Sequence, residues 1–230
     1  MSLSSWAETQ LSTFEHADES QLSSLTREAY QRLRSLIVTL QLQPGALINE
    51  AQLMEQLALG RTPIREALQR LACEGLVVLR PRRGAFVASL NITDLHQIFE
   101  MRLVIEGQAA VLAAERATER DLAAMRATLD PLDRADASGD TQAFIDIDRT
   151  FHRALARAAH NKFLDYTLGR MYNLNLRLWY LALDRIGPMR TAIEEHRLVL
   201  EAITQHDGPA AEAAMRAHIG DFQTRIRAVL

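Results

Sequence analysis

The sequence predicts a mostly α-helical protein whose two parts differ in architecture. Apolar residues recur every three or four positions along most of the chain, which is the spacing of amphipathic helices. Two short runs of apolar and β-branched residues, joined by Pro81–Gly84, predict one hairpin near residues 76–88. From residue 93 to residue 228 only helical periodicity is present, and this predicts an antiparallel all-α helical bundle.

The first part predicts three helices followed by the hairpin. The first helix ends before the turn-forming pair Pro44-Gly45, and the third stops at Gly75. In the third helix we expect Thr62 as the N-cap and Pro63 at the first helical position, where a missing N–H is harmless. The helices are predicted at 24–41, 50–58 and 62–75, and the strands at 76–79 and 85–88. This order of elements is that of a winged helix-turn-helix.

The second part predicts six helices separated by short breaks. They are predicted near 93–116, 118–136, 140–159, 161–185, 188–205 and 207–228. The second of them opens with Thr118 and Asp121 at the spacing of a capping box, with Asp in place of the usual Glu. We therefore expect an N-terminal tail at 1–21, a winged-helix domain at 22–90 and a helical domain at 91–230.

Composition and charge exclude several classes of protein. No apolar run approaches the roughly 20 residues of a membrane span, and the first residues lack the basic and apolar regions of a secretory signal. The single cysteine, Cys73, excludes an intrachain disulfide and fits a reducing compartment, so we expect a cytoplasmic protein. The net charge is −3, yet residues 22–90 hold nine arginines against five acidic residues. Positive charge confined to one compact segment favours phosphate binding there.

Four polar residues fall on the apolar faces of three predicted helices. Asp148 and His152 are four residues apart and therefore share one helix face, and His196 and His218 each interrupt an apolar stripe of a later helix. Burying such side chains without partners would cost several kcal/mol in total. Because imidazole and carboxylate are natural ligands of divalent cations, the sequence predicts a site for Zn²⁺, Ni²⁺ or Mn²⁺. A hydrogen-bonded cluster without an ion is the alternative.

Two sets of motifs resemble a known family of bacterial regulators. The segment 43–45, the segment LALGRTPIREAL at 57–68 and the segment 74–76 resemble the GntR family. The segment DRTFHRAL at 148–155, followed by the two later histidines, resembles the all-helical FCD effector domain of the FadR-type branch. The resemblance implies a homodimer that binds palindromic operator DNA and responds to a small carboxylate effector.

The expected DNA contacts lie on the third helix and on the hairpin. Arg61 and Arg65 are four residues apart at a helix N-terminus, where backbone N–H groups also favour phosphate. The resemblance adds Thr62 to these contacts. At the tip of the hairpin, the run Arg82, Arg83 and Gly84 would approach the minor groove or the backbone.

The sequence departs from the family pattern at two places near these contacts. Ala58-Leu59-Gly60 stands where the family usually has Gly-Val-Ser, and Ala51 stands where it often has an arginine. One DNA contact of the family is therefore missing at position 51, and this difference bears on operator affinity and operator sequence rather than on the class of protein.

Arg102 has two interpretations of equal weight. It matches an arginine of the family's first effector-domain helix that would pair with the effector, and it also stands four residues before Glu106, the spacing of a salt bridge. Asn175 and Arg177 lie on a helix that either walls the same pocket or faces the surface.

The sequence therefore predicts a DNA-binding regulator, not an enzyme, whose operator affinity changes when the effector binds at the metal-containing site. The alternative is a metal-dependent enzyme that uses Asp148 and the three histidines. We find no further inward carboxylate at a defined spacing that would serve as its general base, and an enzyme would leave the basic segment without a role. An architectural nucleic-acid protein would not explain the buried ligand set.

Overall fold

The computed structural model describes residues 23–132, 135, 141–182, 185 and 190–229. The predicted tail at 1–21 lies outside the described residues, as do most of the predicted breaks near 138 and 187. The described residues divide into two compact units, with the boundary between residues 89 and 90.

The N-terminal unit contains three helices and one hairpin, as the sequence predicts. Its elements are α1 (Ser24–Val38), α2 (Glu50–Leu57), α3 (Arg61–Cys73), β1 (Val77–Arg80) and β2 (Gly84–Val87). The two strands are antiparallel, and Arg80 pairs with Gly84 at the tip. The hairpin is bound to the chain before α2, because Ile48 N donates to Ala85 O at 2.8 Å. Each strand lies within one residue of its predicted position.

The core of this unit joins all three helices to the hairpin. Its fully buried side chains include Leu33, Ile37, Ile64, Leu71 and Leu76. Helix α1 packs on α3, and α3 packs on β1, so the outer face of α3 is the one left to solvent. Burial of this apolar set, at roughly 1.5–3 kcal/mol for each large side chain, holds α3 in place.

The start of α3 differs from the prediction. Gly60 is the N-cap and offers no side-chain hydrogen bond, so Thr62 is the second helical residue and Pro63 the third. A proline is tolerated there because the first four N–H groups of a helix have no intrahelical partner. The turn before α3 is made by Ala58, which adopts φ +54° at the end of α2.

The described part of the C-terminal unit contains helices and no strand, as predicted, but the helix predicted at 118–136 ends at Leu129 with Asp130 as its C-cap. Its elements are α4 (Ile92–Arg116), α5 (Glu119–Leu129), α6 (Thr141–Ala158), α7 (Lys162–Ala182), α8 (Arg190–Thr204) and α9 (Gly208–Val229). The capping box is present: Thr118 accepts from Asp121 N, and Asp121 Oδ2 accepts from Thr118 N. No helix in the described ranges is long and apolar enough to cross a bilayer.

Helix α4 is central in this unit, since α6, α7, α8 and α9 all pack against it. Gly107 lets α9 come close, because a Cβ at this position would lie 3.3 Å from both Arg216 Nε and Glu212 Cγ. Near its start, α4 contributes Phe99, whose ring lies 5.8 Å from that of Phe222. The helices that carry the predicted ligands are thus held around one common helix.

Candidate metal centre and nucleic-acid surface

Three helices bring the four predicted ligands together in the interior of the C-terminal unit. Helix α6 carries Asp148 and His152 on one face, α8 carries His196 and α9 carries His218. All four side chains are buried, with exposed fractions between 0 and 4%. One ligand-type atom of each residue lies within 4.8 Å of the other three, so the sequence-predicted set is one cluster in space.

The geometry of the cluster fits a small divalent cation. The three imidazoles point their Nε2 atoms at one another, with separations of 3.1 Å between His196 and His218 and 3.3 Å for the other two pairs. Asp148 Oδ1 lies 3.4 Å from the Nε2 atoms of His152 and His196 and 3.8 Å from that of His218. Ligand atoms about 2.0–2.1 Å from a common ion are roughly 3.0–3.4 Å apart, which matches five of these six separations. The separation between Asp148 and His218 is longer, at 3.8 Å.

The surroundings of the cluster shift the pKa values of His152 and His196 in opposite directions. Burial by itself lowers the pKa of His152, but the carboxylates of Glu106 and Asp148 outweigh it and raise the pKa to about 9. Burial and the neighbouring His218 and His152 lower the pKa of His196 well below its ordinary value. Burial raises the pKa of Asp148, yet the three histidines together bring it well below the usual range. Without an ion, His152 is therefore protonated near neutral pH, whereas His196 is neutral.

A layer of hydrogen-bonding groups surrounds the four ligand-type side chains. His152 Nδ1 forms an ion pair with Glu106 on α4, and Tyr172 on α7 donates its hydroxyl hydrogen to Asp148 Oδ2. His218 Nδ1 lies 3.0 Å from Glu195 Oε2 on α8. Sequence reasoning did not assign these contacts to the cluster. The spacing of Arg102 and Glu106 was a visible signal for their pairing, but nothing in the sequence linked either residue to His152.

The sequence predicted no further inward carboxylate near the four ligand-type residues, and this prediction was wrong. Glu106 is 2% exposed and lies beside His152. Burial raises its pKa, but Arg102 and His152 oppose this and lower it to about 2. A carboxylate so strongly held in its charged form by two cationic partners is a poor general base at neutral pH. Its position therefore favours a supporting role.

Arg102 makes the predicted salt bridge and still has bonding capacity. Its Nε donates to Glu106 Oε1 at 2.5 Å, and the side chain is 2% exposed. Burial lowers the pKa of Arg102, but Glu106 and Asp148 raise it by more, so the guanidinium is charged. Its Nη1 has no hydrogen-bond partner among the described residues. A buried donor of this kind is normally satisfied by a water molecule or a ligand.

Asn175 and Arg177, which the sequence left between pocket wall and surface, are both buried. Asn175 is 0% exposed, and neither atom of its amide has a hydrogen-bond partner within the described part of the chain. Burial lowers the pKa of Arg177 to about 10, although Asp94 opposes this shift. Among the described residues of the helical unit, the side-chain amide of Asn175 and Nη1 of Arg102 are therefore buried polar groups without a hydrogen-bond partner.

The predicted DNA-contacting residues of the N-terminal unit all lie on its surface. Arg61, Thr62 and Arg65 are exposed in the first turns of α3. Gly60 leaves the first amides of α3 without a side-chain cap, so these groups remain available to an anion. Arg61 and Arg65 form no ion pair with any described residue.

The tip of the hairpin is equally exposed. Arg82, Arg83 and Gly84 are all accessible, with φ of +61° at Arg82 and +97° at Gly84. A groove between α3 and the hairpin is lined by Arg65, Arg82 and Gly84, and Glu50 also borders it. Arg65 of α3 and Arg82 of the hairpin therefore face one groove.

Comparison with known proteins decides the family. Residues 25–87 match "Bacterial regulatory proteins, gntR family", and residues 97–221 match the "FCD domain". The chain belongs to the GntR family of bacterial regulators. It is a DNA-binding transcriptional regulator with an FCD domain, and not an enzyme.

Individual relatives of this GntR-family regulator agree with that assignment. A protein of Streptomyces ambofaciens, "Uncharacterized HTH-type transcriptional regulator in unstable DNA locus", is 32% identical over 88% of this chain and 86% of its own length. The "HTH-type transcriptional repressor RspR" of Escherichia coli K12 is 26% identical over 89% of this chain and 90% of its own. The solved structure "E. coli McbR/YncC" has a TM-score of 0.80 and 25% identity, covering 90% of this chain and 99% of that chain.

Proposed function

We propose that this regulator binds palindromic operator DNA as a homodimer and that a small carboxylate effector changes its affinity for the operator. The effector would bind in the helical domain, at a divalent metal ion held by Asp148, His152, His196 and His218. The convergence of three buried Nε2 atoms and one carboxylate oxygen is the observation that carries the effector half of this proposal. We assign residues 22–90 to DNA binding and 91–230 to effector binding. Because its target is chromosomal DNA, we expect the protein in the cytoplasm.

The DNA contacts are proposed for α3 and the hairpin. With Arg61 and Arg65 projecting from one helix end, one guanidinium reaches a phosphate while the other reaches a guanine edge in the major groove. Thr62 and the uncapped amides of α3 add phosphate contacts. Arg82 and Arg83 contact the backbone or the minor groove, where Gly84 permits a close approach.

Selection of bound sequences from a pool of random DNA duplexes tests this part. We expect an inverted repeat, because two recognition helices related by a two-fold axis read two identical half-sites. Arg65→Ala should weaken binding to the selected duplex by roughly 1–3 kcal/mol. Arg120→Ala removes an exposed arginine of α5 and serves as the control. A selected sequence without two-fold symmetry would contradict the homodimer.

For the effector, the proposal combines the ion with Arg102. When bound, a dication with one carboxylate and three neutral imidazoles supplies a net positive anchor for an anion. Zn²⁺, Ni²⁺ and Mn²⁺ all suit this ligand set. The free Nη1 of Arg102 would donate to the carboxylate of the effector, and the unsatisfied amide of Asn175 supports a polar ligand in the same interior.

Metal analysis of the purified full-length chain tests the ion directly. We expect about one equivalent per chain in the wild type and loss of the ion in Asp148→Ala and in His196→Ala. His96→Ala, which removes an exposed histidine outside the cluster, should retain the ion. A wild-type chain that binds none of the three candidate ions, even after reconstitution, would leave a purely hydrogen-bonded polar cluster.

The homodimer is proposed to form through the exposed face of α4. Met101 and Val104 are 49% and 59% exposed, and the neighbouring exposed positions Gln97 and Gln108 are uncharged. The apolar centre of this face can pair with its own copy across a two-fold axis, with the exposed Glu100 paired to His96 at its edge. Val104→Glu should therefore yield a monomer in analytical ultracentrifugation, whereas Leu198→Glu, an exposed leucine on α8, should not. A dimer that survives Val104→Glu would contradict this assignment of the interface.

A further inference from the structure

Glu106 is the most deeply buried carboxylate next to the ligand-type side chains, and its two oxygens serve two different partners. Oε1 accepts from Arg102 Nε at 2.5 Å, and Oε2 forms an ion pair with His152 Nδ1. The side chain is 3% exposed, so water does little to compensate its charge. A buried carboxylate is costly unless it is both paired and hydrogen-bonded, and these two contacts provide that compensation.

The ion pair with Glu106 favours a hydrogen on Nδ1 of His152, beside the carboxylate. In a neutral ring with that hydrogen, Nε2 keeps its lone pair and can act as a ligand. Nε2 of His152 is the atom that faces His196 and His218 at 3.3 Å. Glu106 therefore contacts the side of the ring that leaves Nε2 to a metal ion.

The other two histidines are supported differently. His218 Nδ1 lies 3.0 Å from Glu195, but that carboxylate is 19% exposed and also pairs with Arg225 at 3.6 Å. His196 Nδ1 has no hydrogen-bond partner among the described residues, and the ring is held by stacking on Phe151, with ring centroids 4.2 Å apart. Glu106 is thus the better shielded of the two carboxylates that contact these histidines.

We propose that Glu106 is a positioning residue that orients His152 for the metal ion and, through its other oxygen, fixes the guanidinium of Arg102 beside the same site. The inference rests on the proposed metal centre. It assigns to helix α4 a part in metal binding, although α4 itself supplies none of the four ligands. Residues that orient a ligand through a hydrogen bond typically change metal affinity by 10–100-fold when substituted.

The chemistry of an amide makes Glu106→Gln a sharp test. Arg102 Nε–H and His152 Nδ1–H are both donors, and a carboxylate can accept from both at once. A glutamine at this position has one oxygen and one NH₂ group, so one of the two contacts becomes donor against donor. The substitution preserves the size of the side chain and removes one of the two interactions. If Glu106 only filled space, the substitution would leave metal affinity unchanged.

The affinity of the full-length chain for Zn²⁺, measured by competition with a chromophoric chelator, is the first readout. We expect Glu106→Gln to bind Zn²⁺ roughly 10–100-fold more weakly than the wild type. Glu100→Gln is the matched control, because Glu100 is on the same helix but its side chain is 61% exposed and pairs with the exposed His96. Thermal unfolding of the metal-free chains separates a loss of stability from a loss of metal affinity.

The outcomes separate this inference from the proposed metal centre. If the wild type binds neither Zn²⁺ nor Ni²⁺ nor Mn²⁺ in this assay, both are overturned. If the wild type binds Zn²⁺ and Glu106→Gln binds it equally well, the metal centre stands and the role of Glu106 is overturned. Weaker binding in Glu106→Gln together with unchanged binding in Glu100→Gln supports both.

A second measurement does not depend on whether any Glu106 variant folds. In Zn²⁺-loaded Glu195→Gln labelled with ¹⁵N-histidine, long-range ¹H–¹⁵N spectra report which ring nitrogen carries a proton. In this variant the carboxylate that contacts His218 Nδ1 has become an amide. One strongly downfield Nδ1 proton should therefore remain, which is that of His152 beside the Glu106 carboxylate. A spectrum without this proton overturns the proposal.

Discussion

Binding of a metal ion to the cluster should release a proton near neutral pH, and its affinity should therefore depend steeply on pH. In the metal-free protein the pKa of His152 is about 9, because Glu106 and Asp148 outweigh the effect of burial. A histidine ligand must be neutral, so an incoming ion has to displace this proton. The pKa of Asp148 is far below neutral and that of His196 is well below its ordinary value, so the ion displaces no proton from either of them near neutral pH.

The magnitude follows from the distance between the working pH and the pKa of His152. At pH 7, two units below about 9, roughly 1% of the His152 side chains are neutral, which costs about 3 kcal/mol of metal affinity. Because the pKa of His152 is raised, the protonated metal-free form becomes more populated as the pH falls. The affinity for the metal ion therefore decreases as the pH falls. Between pH 6 and pH 8 the apparent association constant should rise about tenfold per pH unit.

Isothermal titration calorimetry of the full-length chain with Zn²⁺ measures this dependence. Titrations at pH 7 in two buffers with different ionisation enthalpies give the number of protons released per ion, which we expect to be about one. The same titrations at pH 6, 7 and 8 give the slope of the affinity. Release of no proton, with an affinity independent of pH, would refute the reasoning, because His152 would then be neutral despite its two carboxylate neighbours.

Three further predictions concern other parts of the molecule. Arg61→Ala should reduce the dependence of operator binding on salt by about one unit of slope if this side chain contacts a phosphate, and an unchanged slope in a salt titration would contradict that contact. Thr118→Ala should lower the stability of the helical unit by about 1 kcal/mol, seen in thermal unfolding as a shift of roughly 2–4 °C, whereas Thr224→Ala, within α9, should have little effect. Phe99→Ala should cost roughly 3–5 kcal/mol in denaturant unfolding, and a loss below about 1 kcal/mol would mean that the site collapses around the missing ring.

Local features of the sequence predicted most of the elements correctly. The three helices and the hairpin of the first unit, and the capping box formed by Thr118 and Asp121, depend on residues close together in the chain. The start of α3 was predicted two residues late, because Thr62 and Pro63 match the usual N-terminal signal while Gly60, the actual cap, offers no side chain to recognise. Signals from side-chain caps fail where the backbone alone forms the cap.

The candidate metal centre was predictable in composition and less so in its surroundings. Asp148 and His152 share a face because they are one helical turn apart, and His196 and His218 stood out as polar residues within apolar stripes. Tyr172 and Glu106 gave no comparable signal, because a tyrosine on an apolar face is ordinary and Glu106 had an obvious partner in Arg102. The contact of Glu106 with His152 joins α4 to α6. The spacing of residues along the chain does not predict such a contact between two different helices.

The sequence by itself determined the helical class of the chain, the winged arrangement of its first unit and the identity of the four ligand-type residues. These depend on periodicity, on turn chemistry and on the low cost of helix formation for an amphipathic pattern. Only the tertiary structure decided that the four side chains meet within 4.8 Å and that Glu106 and Tyr172 contact two of them. The physical reason is that the rotation and spacing of packed helices depend on how their side chains interdigitate along the whole interface, which is a property of the assembled core and not of any one segment.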